Sequence, residues 1–224
     1  MTLHPDRIRE LLAPFVASDA LSPSQAGSIR VYLDLLLKWN SKINLTSVRD
    51  SEEIVVRHFG ESLFAACQLF PEPATASVID VGSGAGFPGI PIKIWNESTN
   101  LTLVESNGKK ATFLREVVRV LNLGQVGVES NRAEDLIAGA NVVTLRAVES
   151  FGRVLLSARR LLLPAARLAL LIGEAQIDAA QSALPDLKWR DPIKIPLSDN
   201  RVLFVGYCEV AGRTIDKCST WNIL

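Results

Sequence analysis

Asp80 and Glu105 each close an apolar run, Val78-Ile79-Asp80 and Leu101-Thr-Leu-Val-Glu105, and Gly82, Gly84 and Gly86 follow the first acid at alternate positions. Glycine takes backbone angles closed to other residues, so the main chain there can turn sharply and come close to a ligand. An acid at the carboxyl end of a strand lies where open α/β sheets bind ligands, and a second strand-end acid downstream is placed to hold ribose hydroxyls. The pattern predicts a nucleoside cofactor site.

Two nucleosides compete for it. Gly84-x-Gly86-x-x-Gly89 fits the dinucleotide fingerprint, in which the third glycine lets helix and strand pack closely and the helix amino terminus receives a pyrophosphate. The acid two residues before the first glycine, however, makes the arrangement D-x-G-x-G-x-G, which resembles motif I of S-adenosylmethionine-dependent methyltransferases. That cofactor carries a cationic methionine and no phosphate, so a carboxylate is favourable where a pyrophosphate would be repelled. A tight turn with no ligand is the plainest alternative.

The elements that must position these residues are legible in outline. Pro5 starts a helix with Ile8, Leu11, Leu12, Phe15 and Val16 at helical spacing, and Ser22-Pro-Ser-Gln25 forms a capping box for a second, with Ile29, Tyr32, Leu33, Leu36 and Trp39 on its apolar face. Residues 44–57 read as a connection into a helix over about 60–70, and Pro71 and Pro73 mark a boundary. From Ser77 onward, strands near 77–81, 101–105, 125–129, 141–145, 167–172, 190–196 and 202–209 alternate with helices capped by Ser106 and Ser150. Alternation of this kind predicts an α/β fold, a mostly parallel, Rossmann-like seven-stranded sheet with helices on both faces. The expected organisation is an N-terminal helical extension over 1–73, a Rossmann-like domain over 74–212 and a disordered tail over 213–224.

Composition excludes several classes. Hydrophobic residues make up 48% of the chain and charged ones 21%, as in soluble globular proteins. Asp6, Arg7, Arg9 and Glu10 break the first apolar positions, which argues against a secretory signal. The most apolar stretch, 154–172, contains Arg159, Arg160, Pro164 and Arg167, so no membrane partner is expected. Cys67, Cys208 and Cys218 share no metal-ligand spacing; no metal site is expected, and free thiols imply a cytoplasmic protein. A net charge of zero gives no global signature of nucleic-acid binding.

Beyond the superfamily, the chain resembles the RsmG (GidB) family of bacterial 16S ribosomal RNA guanine-N7 methyltransferases. The resemblance spans roughly 20–175 and rests on Lys38-Trp39-Asn40, Asn44-Leu45-Thr46, Arg57-His58, Asp80 to Pro91, Lys109-Lys110, Arg132-Ala133-Glu134 and Arg146-Ala147. It implies a class I methyltransferase fold, S-adenosylmethionine as cofactor and, as substrate, one guanine in the loop around nucleotide 527 of 16S ribosomal RNA, met by a monomer on the small subunit or an assembly intermediate. By the same resemblance Gly82 and Phe87 line the cofactor pocket, Ala133 and Glu134 border the adenine, and Arg146 closes the pocket near the methyl. The chain departs from the family pattern at Leu145, Ile172 and Glu61, where serine, lysine and aspartate are usual.

The chemistry asks little of a base. Methyl transfer from a sulfonium is an in-line displacement that depends on alignment, and guanine N7 has a lone pair and no proton to lose. Correspondingly, Val142-Val-Thr-Leu-Arg-Ala147 lacks the N/D-P-P-Y/F loop of exocyclic-amine enzymes, and no cysteine stands where a carbon-5 enzyme needs a nucleophile. The candidate cofactor-binding residues are therefore Asp80, Gly82, Gly84, Gly86, Phe87, Glu105, Ala133, Glu134 and Arg146, with Arg146 also positioning the reaction. Arg57, His58, Lys109 and Lys110 are the candidate RNA contacts. Each has a plain structural reading: an ion pair of Arg146 with Glu149, a solvated helix face for the lysines, a packing role for His58. Trp39 is expected to pack, and Asn40 and Asn44 can either satisfy backbone groups or contact RNA. Competing functions are a methyltransferase for another RNA, a protein or a small molecule, a nicotinamide oxidoreductase, and an RNA-binding module without catalysis.

Overall fold

Along β1 (Ala76–Val81) Val78 is buried on one side of the sheet, and Ile79 and Val81 are buried on the other. A strand with no exposed face belongs inside a parallel sheet covered on both sides. The computed structural model, which describes residues 3–17, 21–147 and 150–209, has this architecture. Its other strands are β2 (Thr99–Val104), β3 (Val126–Glu129), β4 (Ala140–Arg146), β5 (Leu162–Gly173), β6 (Leu187–Trp189), β7 (Ile193–Lys194) and β8 (Arg201–Cys208). The order is β3-β2-β1-β4-β5-β8-β6, with β7 also paired to β8. β1 to β5 run parallel, and β8 lies antiparallel to β5, β6 and β7. The chain reverses direction of travel between β1 and β4, so a crevice opens at their carboxyl ends.

The sixth strand, expected near 190–196, is instead two short strands along β8. Trp189 pairs with Gly206 and Ile193 with Leu203, so the edge strand holds one residue more than its partner over this stretch. That is a bulge, and it falls where Pro192 has no N–H to give the ladder.

Helices α1 (Pro5–Leu12) and α2 (Pro23–Asn40) start as expected, and the reciprocal box between Ser22 and Gln25 is formed. The connection expected over 44–57 is wrong in its second half. A continuous helical run begins at Ser51: α3 (Ser51–Ile54), a π-helical turn (Val55–Gly60) and α4 (Glu61–Leu69). Asp50 caps it, its Oδ1 accepting from Glu53 N at 2.8 Å. The π-turn inserts a residue and breaks the 3.6-residue period on which recognition of a helix depends. α5 (Gly89–Trp95), α6 (Gly108–Val120), α7 (Phe151–Arg160) and α8 (Ile177–Ala183) are the other α-helices among the described residues. Asn107, not Ser106, caps α6, accepting from Lys109 N and Lys110 N. Ser150 precedes α7 as expected, but with φ 54° its side chain makes no capping bond.

Helices α1 to α6 bury their apolar faces in one core with one side of the sheet, and α7 and α8 in a second core with the other. Cys67 lies half-buried in α4, where burial pushes its thiol up to about 12. No described helix is long and apolar enough to cross a membrane. The expected tail over 213–224 and Cys218 lie outside the described residues.

Candidate active site

The glycine turn is locked to the neighbouring strand. Gly82 N and Ser83 N both donate to Val104 O, at 2.9 and 3.0 Å. Gly82, Gly84 and Gly86 have φ of 69°, 57° and 93°, the left-handed region that only glycine enters freely. Glu105 holds the turn from β2: Oε2 accepts from Gly84 N at 2.8 Å and Oε1 from Asn107 N at 2.7 Å. Gly86 faces the other way. A Cβ there would meet the Tyr32 hydroxyl, which donates to Ala85 O, and Ile90 Cδ1 at 2.7 Å. Its smallness serves the packing of α2, not a ligand.

Asp80 is fully buried and does not reach the crevice. This corrects the expectation that it touches the cofactor. Oδ1 accepts from Thr144 Oγ1 at 2.7 Å and Oδ2 from Gly89 N at 3.2 Å, so it braces the turn from below. Burial raises its carboxyl to about 6 against the pull of these donors. A Cβ on Gly89 would lie 2.7 Å from Leu103 and 2.8 Å from Asp80, so the third glycine does permit close packing of α5 on the sheet. The amide that would greet a pyrophosphate is already bonded to a carboxylate.

Above the turn is a cavity of about 760 Å³, within the range of small-molecule sites. Gly82, Gly84, Glu105, Lys110, Ala133 and Glu134 line it, and so do Arg57, His58, Phe87 and Arg146; the Phe87 ring lies 5.2 Å from that of His58 and 5.9 Å from the Arg146 guanidinium. Of the expected residues, Asp80, Gly86 and Lys109 are not on its wall. Ala133 and Glu134 arrive on a 3₁₀ turn after β3.

Arg146, at the end of β4, is the centre of a buried network. Its Nε and Nη2 donate to Glu61 Oε2 at 3.3 and 2.9 Å, and Nη2 also donates to Arg57 O at 2.9 Å and to His58 Nδ1 at 3.0 Å. Arg201 Nε lies 3.1 Å from the same Glu61 oxygen. Among the described residues Arg146 pairs with Glu61; its expected partner, Glu149, lies outside them. Burial lowers the Arg146 pKa and the Glu61 carboxylate opposes that shift. The two Arg146 Nη2 hydrogens are shared among Glu61 Oε2, Arg57 O and His58 Nδ1; a guanidinium only donates, so in its contact with His58 Nδ1 the ring nitrogen accepts, which puts the proton of a neutral His58 on Nε2. Burial, then the charges of Arg146, Arg57 and Arg201, bring its pKa down to about 3. Nε2 in turn meets Thr46 Oγ1 at 2.7 Å.

The remaining candidates sort readily. Asn40 is buried and satisfies backbone: its Oδ1 accepts from Leu45 N and Thr46 N, and its Nδ2 donates to Thr46 O. Asn44 is exposed. Trp39 packs edge-on against Phe113 of α6. Leu145 and Ile172 are core residues of the second cluster. Sequence reading missed the Glu61–Arg201 pairing, Thr46 and the wall residues Arg132 and Arg153. Thr46 and Arg132 carry a local signal, their places in Asn44-Leu45-Thr46 and Arg132-Ala133-Glu134.

The cavity fits a nucleoside with a positively charged tail better than a dinucleotide. Glu105 and Glu134 face it, the open glycine peptides allow close approach, and the α5 amino terminus is closed to phosphate by Asp80.

Comparison with known proteins follows the same line. Residues 25–188 match the family described as GidB, rRNA small subunit methyltransferase G. The Ribosomal RNA small subunit methyltransferase G of Xanthomonas axonopodis pv. citri (strain 306) is 39% identical over 158 residues, 70% of this chain and 73% of that protein. The protein of the same name from Xanthomonas campestris pv. campestris (strain B100) is 36% identical over 198 residues, 86% of this chain and 91% of its own. Among solved structures, the ribosomal protein L11 methylase from Lactobacillus delbrueckii subsp. bulgaricus superposes with a TM-score of 0.59 at 11% identity, over 69% of this chain and 80% of that one. P. horikoshii TYW2 in complex with MeSAdo gives 0.57 at 13% identity, over 68% and 63%. At such identities the structural likeness speaks for the fold alone.

Proposed function

The chain belongs to the rRNA small subunit methyltransferase G family, and from that premise we propose that it methylates N7 of a single guanine in 16S ribosomal RNA, in the loop around nucleotide 527. The observation that carries the cofactor assignment is the α5 amino terminus, where Asp80 Oδ2 takes the Gly89 N–H beside an open glycine turn. S-adenosylmethionine, when bound, supplies the methyl group on its sulfonium. Gly82, Gly84, Phe87, Glu105, Ala133 and Glu134 hold it, with Glu105 offering its remaining lone pairs to hydroxyls. Asp80 and Gly86 act from behind by fixing the turn.

Catalysis here is alignment. Arg146, pinned by Glu61 and His58, sets the wall against which the base lies, and the absence of a proton to remove from N7 leaves no task for a general base. Arg57 and Lys110 on the cavity wall, and Lys109 beside it, meet RNA phosphates, which dominate affinity in such complexes. The partner is the small ribosomal subunit or an assembly intermediate, met by a monomer in the cytoplasm.

The test is transfer of labelled methyl to unmodified small subunits, followed by borohydride reduction and strand cleavage at N7-methylguanine. One labelled guanine in 16S ribosomal RNA is expected. Protein that binds the cofactor yet modifies neither subunits nor free 16S ribosomal RNA would overturn the assignment.

A further inference from the structure

The hydrogen-bond chain that ends on Thr46 fixes the direction of one proton. Arg146 can only donate, so His58 Nδ1 accepts from it and Nε2 keeps the hydrogen. Thr46 Oγ1 therefore accepts from His58 Nε2 at 2.7 Å, and it accepts again from Val48 N at 3.2 Å. Both lone pairs of the hydroxyl are engaged. Its own hydrogen has no acceptor among the described residues, and the side chain lines the cavity with His58, Phe87 and Arg146. The backbone beneath it is fixed, since Asn40 bonds both Thr46 N and Thr46 O, at 3.1 and 3.0 Å. The result is a rigid hydroxyl that can only donate into the cavity.

The Hoogsteen edge of guanine presents two acceptors, N7 and O6, whereas adenine replaces O6 by an amino donor. We propose that Thr46 donates to O6 of the target guanine, leaving the N7 lone pair free for the methyl group, and so selects guanine over adenine. This rests on the function proposed above. Arg146 and His58 are positioning residues in this scheme: they set the polarity of the hydroxyl without touching O6. Methylation makes the base cationic, so a donor at O6 orients and discriminates rather than stabilising the developing charge.

The test compares wild type, Thr46→Val and Thr46→Ser on reconstituted small subunits carrying guanine or 2-aminopurine, which keeps N7 and lacks O6, at the mapped nucleotide. S-adenosylmethionine affinity is measured calorimetrically in parallel. Thr46→Val is expected to lower kcat/KM on guanine about 10- to 100-fold, the usual cost of leaving one buried hydrogen-bonding group without its partner, with cofactor affinity unchanged and Thr46→Ser near wild type. On 2-aminopurine the wild type should fall by a similar factor and Thr46→Val should fall no further. Full activity of Thr46→Val would overturn the proposal, as would equal wild-type rates on the two bases. A loss confined to cofactor affinity would reassign the hydroxyl to the cofactor and overturn it too. A wild type that binds cofactor but methylates no guanine marks a different failure, that of the proposed function itself.

Discussion

On the glycine-turn side of the cavity Glu105 is held by two backbone N–H groups, those of Gly84 and Asn107, whereas on the opposite side Glu61 is held by the guanidinium groups of Arg146 and Arg201. Backbone donors satisfy a carboxylate and leave its charge standing. Cationic side chains cancel it, and Arg146 and Arg201 together exceed it by one charge, whereas Arg57 beside them is paired with Glu53 at 2.9 Å. One cavity thus presents a wall with two carboxylates, Glu105 and Glu134, suited to a cationic cofactor although Lys110 and Arg132 share its lining, and a basic wall suited to a polyanion. The two walls also differ in what their failure would cost, because the basic one is a buried ion network and the acidic one is a braced turn.

Glu61→Ala should separate them most. It strands two cations, one of them almost fully buried, and breaking such a pair costs about 3–5 kcal/mol. Urea unfolding should show a large drop in midpoint, and a smaller one for Arg146→Ala, where Glu61 keeps Arg201. Equal costs for Glu61→Ala and Glu105→Ala would break the comparison.

Stability against pH should differ in sign between Asp80, beneath the glycine turn, and His58, in the ion network. Asp80 is raised from 3.8 to about 6, so its contribution is full below the unfolded value and lost as pH rises through 6. Relative to Asp80→Asn, wild type should lose roughly 3 kcal/mol between about pH 4 and 6. His58 is lowered from 6.5 to about 3, so its contribution is present above 6.5 and lost as pH falls through 3. Relative to His58→Gln, wild type should weaken on acidification over that window. Unfolding curves for the three proteins across this range would show slopes of one sign if the argument fails.

Glu105→Ala should lower S-adenosylmethionine affinity about 10- to 100-fold by calorimetry, the effect of losing charged hydrogen bonds. Unchanged affinity would remove Glu105 from the binding wall. The smallest effect belongs to Gly84→Ala, where no atom lies nearer a new Cβ than Gly82 O at 3.8 Å. The left-handed φ alone should cost about 1–2 kcal/mol, read by thermal unfolding, while ligand approach suffers more than stability.

The acidic wall was legible because its parts lie close in sequence: Gly84 and Glu105 are 21 positions apart, on consecutive strand ends. The basic wall joins Arg146 to Glu61 across 85 positions and to His58 across 88, and no local pattern foretells such pairings. Arg146 stands out by its place at a strand end, but nothing near it in sequence points to Glu61. Asp80 was recognised for the right reason, a strand-end acid before glycines, and assigned the wrong contact, since pattern alone does not say whether a carboxylate points into a crevice or beneath it. Asp50 is a helix-capping residue type, but the apolar period after it slips at the π-turn, so the segment does not read as a helix.

That slip carries a consequence for how the chain can vary. A π-turn holds one residue more than the α-turn it interrupts, and one helical residue is a rotation of about 100°. Shortening Val55–Gly60 by a single position would give a more regular helix, yet His58 and the residues before it would swing away from Glu61 and Arg146. Loops elsewhere can gain or lose residues at little structural expense. This helix cannot: its length is part of the site, a built-in gauge that counts six residues between Ile54 and Glu61.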